Sequence, residues 1–122
     1  ISHSWNFSAV MASKSNVGID IQRYVDKISR LEHKFLSNKE KDQLTAIHKL
    51  ELLHIYWGAK EAVFKAYGRK QVSFKDHIYI HPLDYSSNGG KFKVSFNKDI
   101  NMEFEANYKI IGDYFLVYLM EQ

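Results

Sequence analysis

The sequence predicts an α+β fold, a mainly antiparallel sheet packed against a block of about three helices. Three observations predict it. Apolar residues alternate with polar ones at 17–22, and further short apolar runs recur from residue 76 to the end, as strands with one buried face require. Between these stretches, residues 26–67 carry apolar side chains at helical spacing. Asn88-Gly89-Gly90 and Gly112-Asp113 supply tight reversals between neighbouring strands. Strands, then helices, then strands give segregated rather than alternating layers.

Taken in order, residues 1–4 (ISHS) and 7–13 (FSAVMAS) read as two short strands, with Trp5-Asn6 as the turn. Over 17–22 (VGIDIQ), Val17, Ile19 and Ile21 fall on one face, and Gly18, Asp20 and Gln22 on the other. Ile28, Leu31, Phe35 and Leu36 then recur at helical spacing, which predicts a helix over 26–36. Ser37-Asn38-Lys39-Glu40 has the S-x-x-E form of a capping box, opening a second helix to about Lys49. A third helix covers roughly 51–67, apolar nearly all round, with Gly68 at its C-terminal stop. Strands are predicted at 76–81, 91–96, 102–109 and 113–120. There is no internal repeat, low-complexity tract or linker, so residues 1–122 are expected to form one domain.

Composition narrows the function classes. Seventeen Lys+Arg against fourteen Asp+Glu leave a net charge of +3, spread along the chain rather than gathered on one basic face. That argues against nucleic acid and suits a transient encounter with an acidic protein or a phosphorylated small molecule. No run approaches the roughly 18 apolar residues of a membrane span, so no membrane partner is expected. The absence of cysteine excludes disulfides, thiolate metal sites and a cysteine nucleophile, and is compatible with a cytoplasmic location. The chain opens on Ile1, and its first residues already read as structure. The expectation is a removed leader or a longer protein.

Four places carry candidate chemistry. Asp20 and Gln22 share a strand face roughly 7 Å apart, near enough to converge on one ion, and oxygen ligands of this kind suit Mg²⁺. A solvated strand face explains the same pair. On the third helix, Glu61 and Lys65 stand four apart in the order that stabilises a surface helix. Lys60 and Glu61 also lie in so apolar a segment that they read as the edge of a pocket. Carboxylate with ammonium is what an Mg-pyrophosphate site requires. Glu40 reads first as the capping partner of Ser37. His3, between Ser2 and Ser4, makes a hydroxyl-imidazole cluster able to bind phosphate. The remaining histidines do not form a metal site: His77 and His81 on one predicted strand are about 13 Å apart, and His33, His48 and His54 read as helix-surface residues.

The order and spacing of these segments are more specific than any one of them. ISHS at 1–4, VGIDIQ at 17–22, FLSNKE at 35–40 and WGAKEAVFK at 57–65 together resemble the 4′-phosphopantetheinyl transferase superfamily. The nearer likeness is to its surfactin-synthetase-activating type. The resemblance implies Mg²⁺-dependent transfer of the phosphopantetheine arm of coenzyme A to a serine of an acyl or peptidyl carrier protein. It puts Asp20 and Glu61 on metal-ligand positions, with Gln22 where that type has an acid. Lys65 falls on a lysine that contacts the coenzyme A phosphates, and His3 with Ser2 on a phosphate-binding position. Glu40 falls on a recurrent acidic position near the site, and Lys60 on the residue before the metal glutamate. The resemblance also implies that this is one lobe of a two-lobe enzyme, the second, although single-lobe holo-acyl-carrier-protein synthases have about this length. The expected ways to complete the site are a first lobe or a homo-oligomer. The alternative function is a non-catalytic lobe that binds coenzyme A or a carrier.

Overall fold

The computed structural model describes residues 18–68 and 71–121. The predicted strands at 1–4 and 7–13, with Ser2 and His3, lie outside the described residues. β1 (Ile19–Arg23) follows the alternation at 17–22. Ile19 and Ile21 join Leu116 in a small apolar cluster on one face of the sheet, and Asp20 turns to the other face. β3 (Gly90–Asn97), β4 (Asn101–Ile111) and β5 (Tyr114–Glu121) match the predicted strands within one residue, except that β4 runs two further at its end. With β2 (Ile78–Ile80) they form a five-stranded sheet in the order β1-β5-β4-β3-β2, antiparallel throughout. Gly112-Asp113 joins β4 to β5 in a two-residue turn, closed by the Ile111–Tyr114 pair.

The helical layer comprises a 3-10 segment (Asp26–Leu31) running into α1 (Glu32–Phe35), then α2 (Asn38–Gln43), α3 (Lys49–Ala66) and α4 (Phe74–His77). α3 is buried on almost every side because it lies between the sheet and the shorter helices. Leu53, Tyr56, Ala59 and Val63 share one buried apolar cluster with Phe35 and with Val94, Phe96, Ala106 and Val117 of the sheet. Burying each large side chain there contributes about 1.5–3 kcal/mol. Gly68, at φ +85, follows the helix where the sequence puts a stop. No described helix is long and apolar enough to cross a membrane.

Four local expectations are corrected. Residues 26–36 are not one α-helix: no side chain caps the start at Val25, and the i,i+3 pair Ile28 and Leu31 accompanies a 3-10 turn. The helix opened by Ser37 does not reach Lys49. It ends at Gln43, whose amide is held between the hydroxyls of Tyr56 (2.9 Å) and Tyr79 (2.6 Å). Leu44 then turns extended against the core, and His48 takes a left-handed φ of 63 that separates α2 from α3. The predicted strand 76–81 begins late. Ser73 Oγ accepts from the Asp76 N–H (3.1 Å) and starts α4 instead, so His77 is helical and shares no strand with His81.

The fourth correction concerns His54, which is buried rather than on the helix surface. Its ring packs against those of Tyr24 and Phe115, each centroid 5.0 Å away, and those two rings also stack on each other at 6.2 Å. Nε2 accepts from the Val25 N–H at 2.9 Å, which requires an unprotonated nitrogen, and Nδ1 then donates to the Leu50 carbonyl at 2.7 Å. Burial holds the imidazole below the ordinary value of 6.5, against the Leu50 carbonyl and the charges of Glu51 and Asp26. The stabilisation is therefore complete above about pH 6.5 and is lost as pH falls through the lowered folded value. Urea unfolding between pH 7.5 and 5 is expected to show this loss. His54→Phe, which leaves the Val25 N–H without its acceptor, should cost about 1–3 kcal/mol at pH 7.5 and flatten the pH dependence.

Candidate active site

The site begins with two glycines. A Cβ on Gly18 would lie 1.7 Å from the Ala62 carbonyl oxygen, so the chain entering β1 rests directly on the backbone of α3. A Cβ on Gly58 would come within 2.8 Å of a Val117 methyl and 3.5 Å of Asp20 Oδ2. Gly58, Glu61, Ala62 and Lys65 recur at three- and four-residue spacing along one face of α3. That face is the one β1 covers.

Asp20 is fully buried there, with a donor on each carboxylate oxygen. Lys65 Nζ donates to Oδ1 at 2.9 Å and to the Ile19 carbonyl at 3.1 Å. Gln22 Nε2 donates to Oδ2 at 3.0 Å. Burial pushes the Asp20 carboxyl above its ordinary value of 3.8, and the charge and hydrogen bond of Lys65 pull it back. Glu61 is half-buried one turn before Lys65 on the same helix face. The fold thus joins Asp20, Gln22 and Lys65 directly and sets Glu61 beside them. Gln22 meets Asp20 as a hydrogen-bond donor in this arrangement, whereas its expected role as a metal ligand uses the amide oxygen.

Glu40 and Lys60 are brought together elsewhere. Both are fully buried, with Lys60 Nζ 2.7 Å from Glu40 Oε1. The ammonium spends its other two protons on the carbonyls of Phe35 (2.7 Å) and Phe74 (2.6 Å). Glu40 Oε1 also accepts from the Ser37 N–H at 2.9 Å, completing the predicted capping box, while Oε2 accepts from the Ile80 N–H at 2.7 Å. Burial pushes the Lys60 ammonium below the ordinary lysine value of 10.5, and Glu40 opposes the shift. One ion pair therefore ties α1, α2, α3, α4 and β2. The expected substrate-facing Lys60 is enclosed, with every proton satisfied by protein.

Among the described residues, no three His, Cys, Asp or Glu side chains gather into a metal cage. Two carboxylates fit Mg²⁺ nonetheless, because that ion commonly uses one or two carboxylates and takes its remaining ligands from water and substrate phosphates. One surface groove, between Ser29, His33, Lys41 and Lys49, includes none of the candidate residues. A smaller one of about 210 Å³ starts at Gln22 and runs past Val25, Leu31, His54 and Trp57.

No curated protein matches the chain significantly. The family model of the 4′-phosphopantetheinyl transferase superfamily matches residues 16–118. The chain belongs to that superfamily. The matched span contains Asp20, Gln22, Glu40, Lys60, Glu61 and Lys65, and it extends the likeness seen in the N-terminal motifs through the C-terminal strands. Sequence reasoning overlooked Gly18 and Gly58 as site-building residues. The available signal was a glycine inside a strand pattern and another inside a helix pattern, each a mark of close backbone approach.

In this transferase-family fold, removing either charge of the Glu40–Lys60 pair strands the other in the core. Lys60→Met is expected to cost about 3–5 kcal/mol in urea unfolding. Adding Glu40→Gln to it should recover a large part of that loss, since the uncompensated charge is then gone.

Proposed function

We propose that this chain transfers the 4′-phosphopantetheine arm of coenzyme A to a serine hydroxyl of an acyl or peptidyl carrier protein, with Mg²⁺ as cofactor. The observation that carries this reading is the buried Asp20–Lys65 pair on the same face of α3 as Glu61, within a chain of this superfamily. Asp20 and Glu61 would hold the ion, whose chemistry when bound is to polarise the pyrophosphate of coenzyme A.

The protein's own groups supply the rest. Glu61 accepts the proton of the carrier serine. The serine oxygen forms its bond to the β-phosphorus as the bond from that phosphorus to the bridging oxygen breaks. Adenosine 3′,5′-bisphosphate leaves with the bridging oxygen, and Lys65 offsets the charge that gathers there. Ser2 and His3 bind phosphate in this reading, and Glu40 and Lys60 act at a distance by fixing α3. The groove from Gln22 to Trp57 is apolar enough to accept the pantetheine arm. The net charge of +3 suits a brief, salt-sensitive encounter with an acidic carrier. A homo-oligomer or a preceding lobe would complete the coenzyme A site.

Gln22 favours a second reading, a lobe that binds coenzyme A without chemistry, because it puts an amide where the surfactin-type pattern has an acid. Intact-mass spectrometry separates the two. An apo carrier incubated with the protein, coenzyme A and Mg²⁺ is expected to gain one phosphopantetheine arm. Asp20→Ala should slow the gain by about 100-fold or more, and removing Mg²⁺ should abolish it. No gain, together with coenzyme A binding that is indifferent to Mg²⁺, would establish the binding lobe instead. Gln22→Glu is expected to lower the Mg²⁺ concentration needed for half-maximal transfer, and an unchanged titration would contradict a role for this position at the metal.

A further inference from the structure

We propose that Lys65 is the resident cation of the metal site, released from Asp20 when a divalent ion enters. The inference rests on the reading of Asp20 and Glu61 as metal ligands and adds an order of events to it. The Asp20 carboxylate is closed off from water, and both its oxygens are occupied, Oδ1 by the Lys65 ammonium at 2.9 Å and Oδ2 by the Gln22 amide at 3.0 Å. A buried carboxylate needs such compensation to remain charged. The protein therefore holds in advance the negative charge a metal requires and neutralises it with its own side chain.

A divalent ion arriving at Asp20 repels an ammonium on the same carboxylate, and the two compete for its lone pairs. Lys65 is built to yield. Its charge is carried on a flexible four-carbon stem, and one of its hydrogen bonds, at 3.1 Å, goes to the neutral carbonyl of Ile19. Gln22 makes the companion change by turning its amide, replacing the N–H given to Oδ2 with an oxygen toward the ion. Once detached, the Lys65 ammonium is available to phosphate oxygens at the same ion. Without metal it is committed to Asp20. Metal entry and phosphate capture are thereby coupled through one lysine.

The test is Mn²⁺ binding to the whole chain, followed by electron paramagnetic resonance and calorimetry, in wild type, Lys65→Met, Lys75→Met and Asp20→Asn. Loss of the competing ammonium should tighten Mn²⁺ binding in Lys65→Met by about 10-fold, within the usual range of site-to-site coupling. Lys75→Met removes an equal charge from an exposed position on α4 and should leave the affinity unchanged. Binding that depends on Asp20 but is equal or weaker in Lys65→Met overturns the exchange and leaves the metal assignment standing. Binding that Asp20→Asn does not weaken, or no binding by any form, overturns both. Nitrogen-15 resonances of the lysine side chains give a reading that needs no variant at Lys65. The Lys65 signal should shift on Mg²⁺ addition to wild type, and a stationary signal overturns the exchange.

Discussion

No side chain fits between the start of β1 and α3. With a Cβ on Gly18 only 1.7 Å from the Ala62 carbonyl oxygen, strand and helix meet backbone to backbone, and the candidate site depends on that contact. Two residues further on, the strand's alternation turns Asp20 onto the helix, where it has no access to water. A carboxylate in such a place requires a counter-charge, and Lys65 supplies it from two turns beyond Gly58. Glu61 lies between those positions on the same face. The distance between strand and helix thus decides which side chains meet, and the absence of solvent decides how strongly they interact.

α3 has to be fixed for this arrangement to hold, and the Glu40–Lys60 pair fixes it from the other side. Residue 60 precedes Glu61 but is turned about 100° around the helix. Its ammonium is enclosed by the ends of α1 and α4 and by the capping glutamate of α2. Burying such a pair is not in itself strongly stabilising. Its consequence is geometric, because three backbone segments and one helix start are satisfied only when α3 has one position and one rotation. Neighbouring residues on one helix therefore divide the work, Lys60 holding the scaffold and Glu61 facing the site.

Much of this was legible in the sequence. The α+β class, β3 to β5, the capping box and the extent of α3 follow from periodicity and turn residues, and the meeting of strand 17–22 with a helix bearing Glu61 and Lys65 is what the family resemblance implies. What was not legible depends on tertiary contact. The extended turn at Leu44 and the left-handed His48 that divides α2 from α3 carry no sequence mark as clear as the capping box. His54 looks like a surface histidine because its partners, Tyr24, Val25 and Phe115, come from distant parts of the chain. Lys60 looked like a pocket residue because a lysine with three buried acceptors, two of them backbone carbonyls, cannot be distinguished by spacing from one that faces a ligand.

The central claim, that β1 and one face of α3 form a single phosphate and metal site, is tested most directly by mapping amide shifts in two-dimensional NMR while coenzyme A and Mg²⁺ are titrated into the protein. The predicted result is that the largest changes fall on Asp20, Gln22, Glu61 and Lys65 and their neighbours, and that those changes diminish when Mg²⁺ is withheld. Changes centred on the groove between Ser29 and Lys49, with β1 and α3 unmoved, would contradict it.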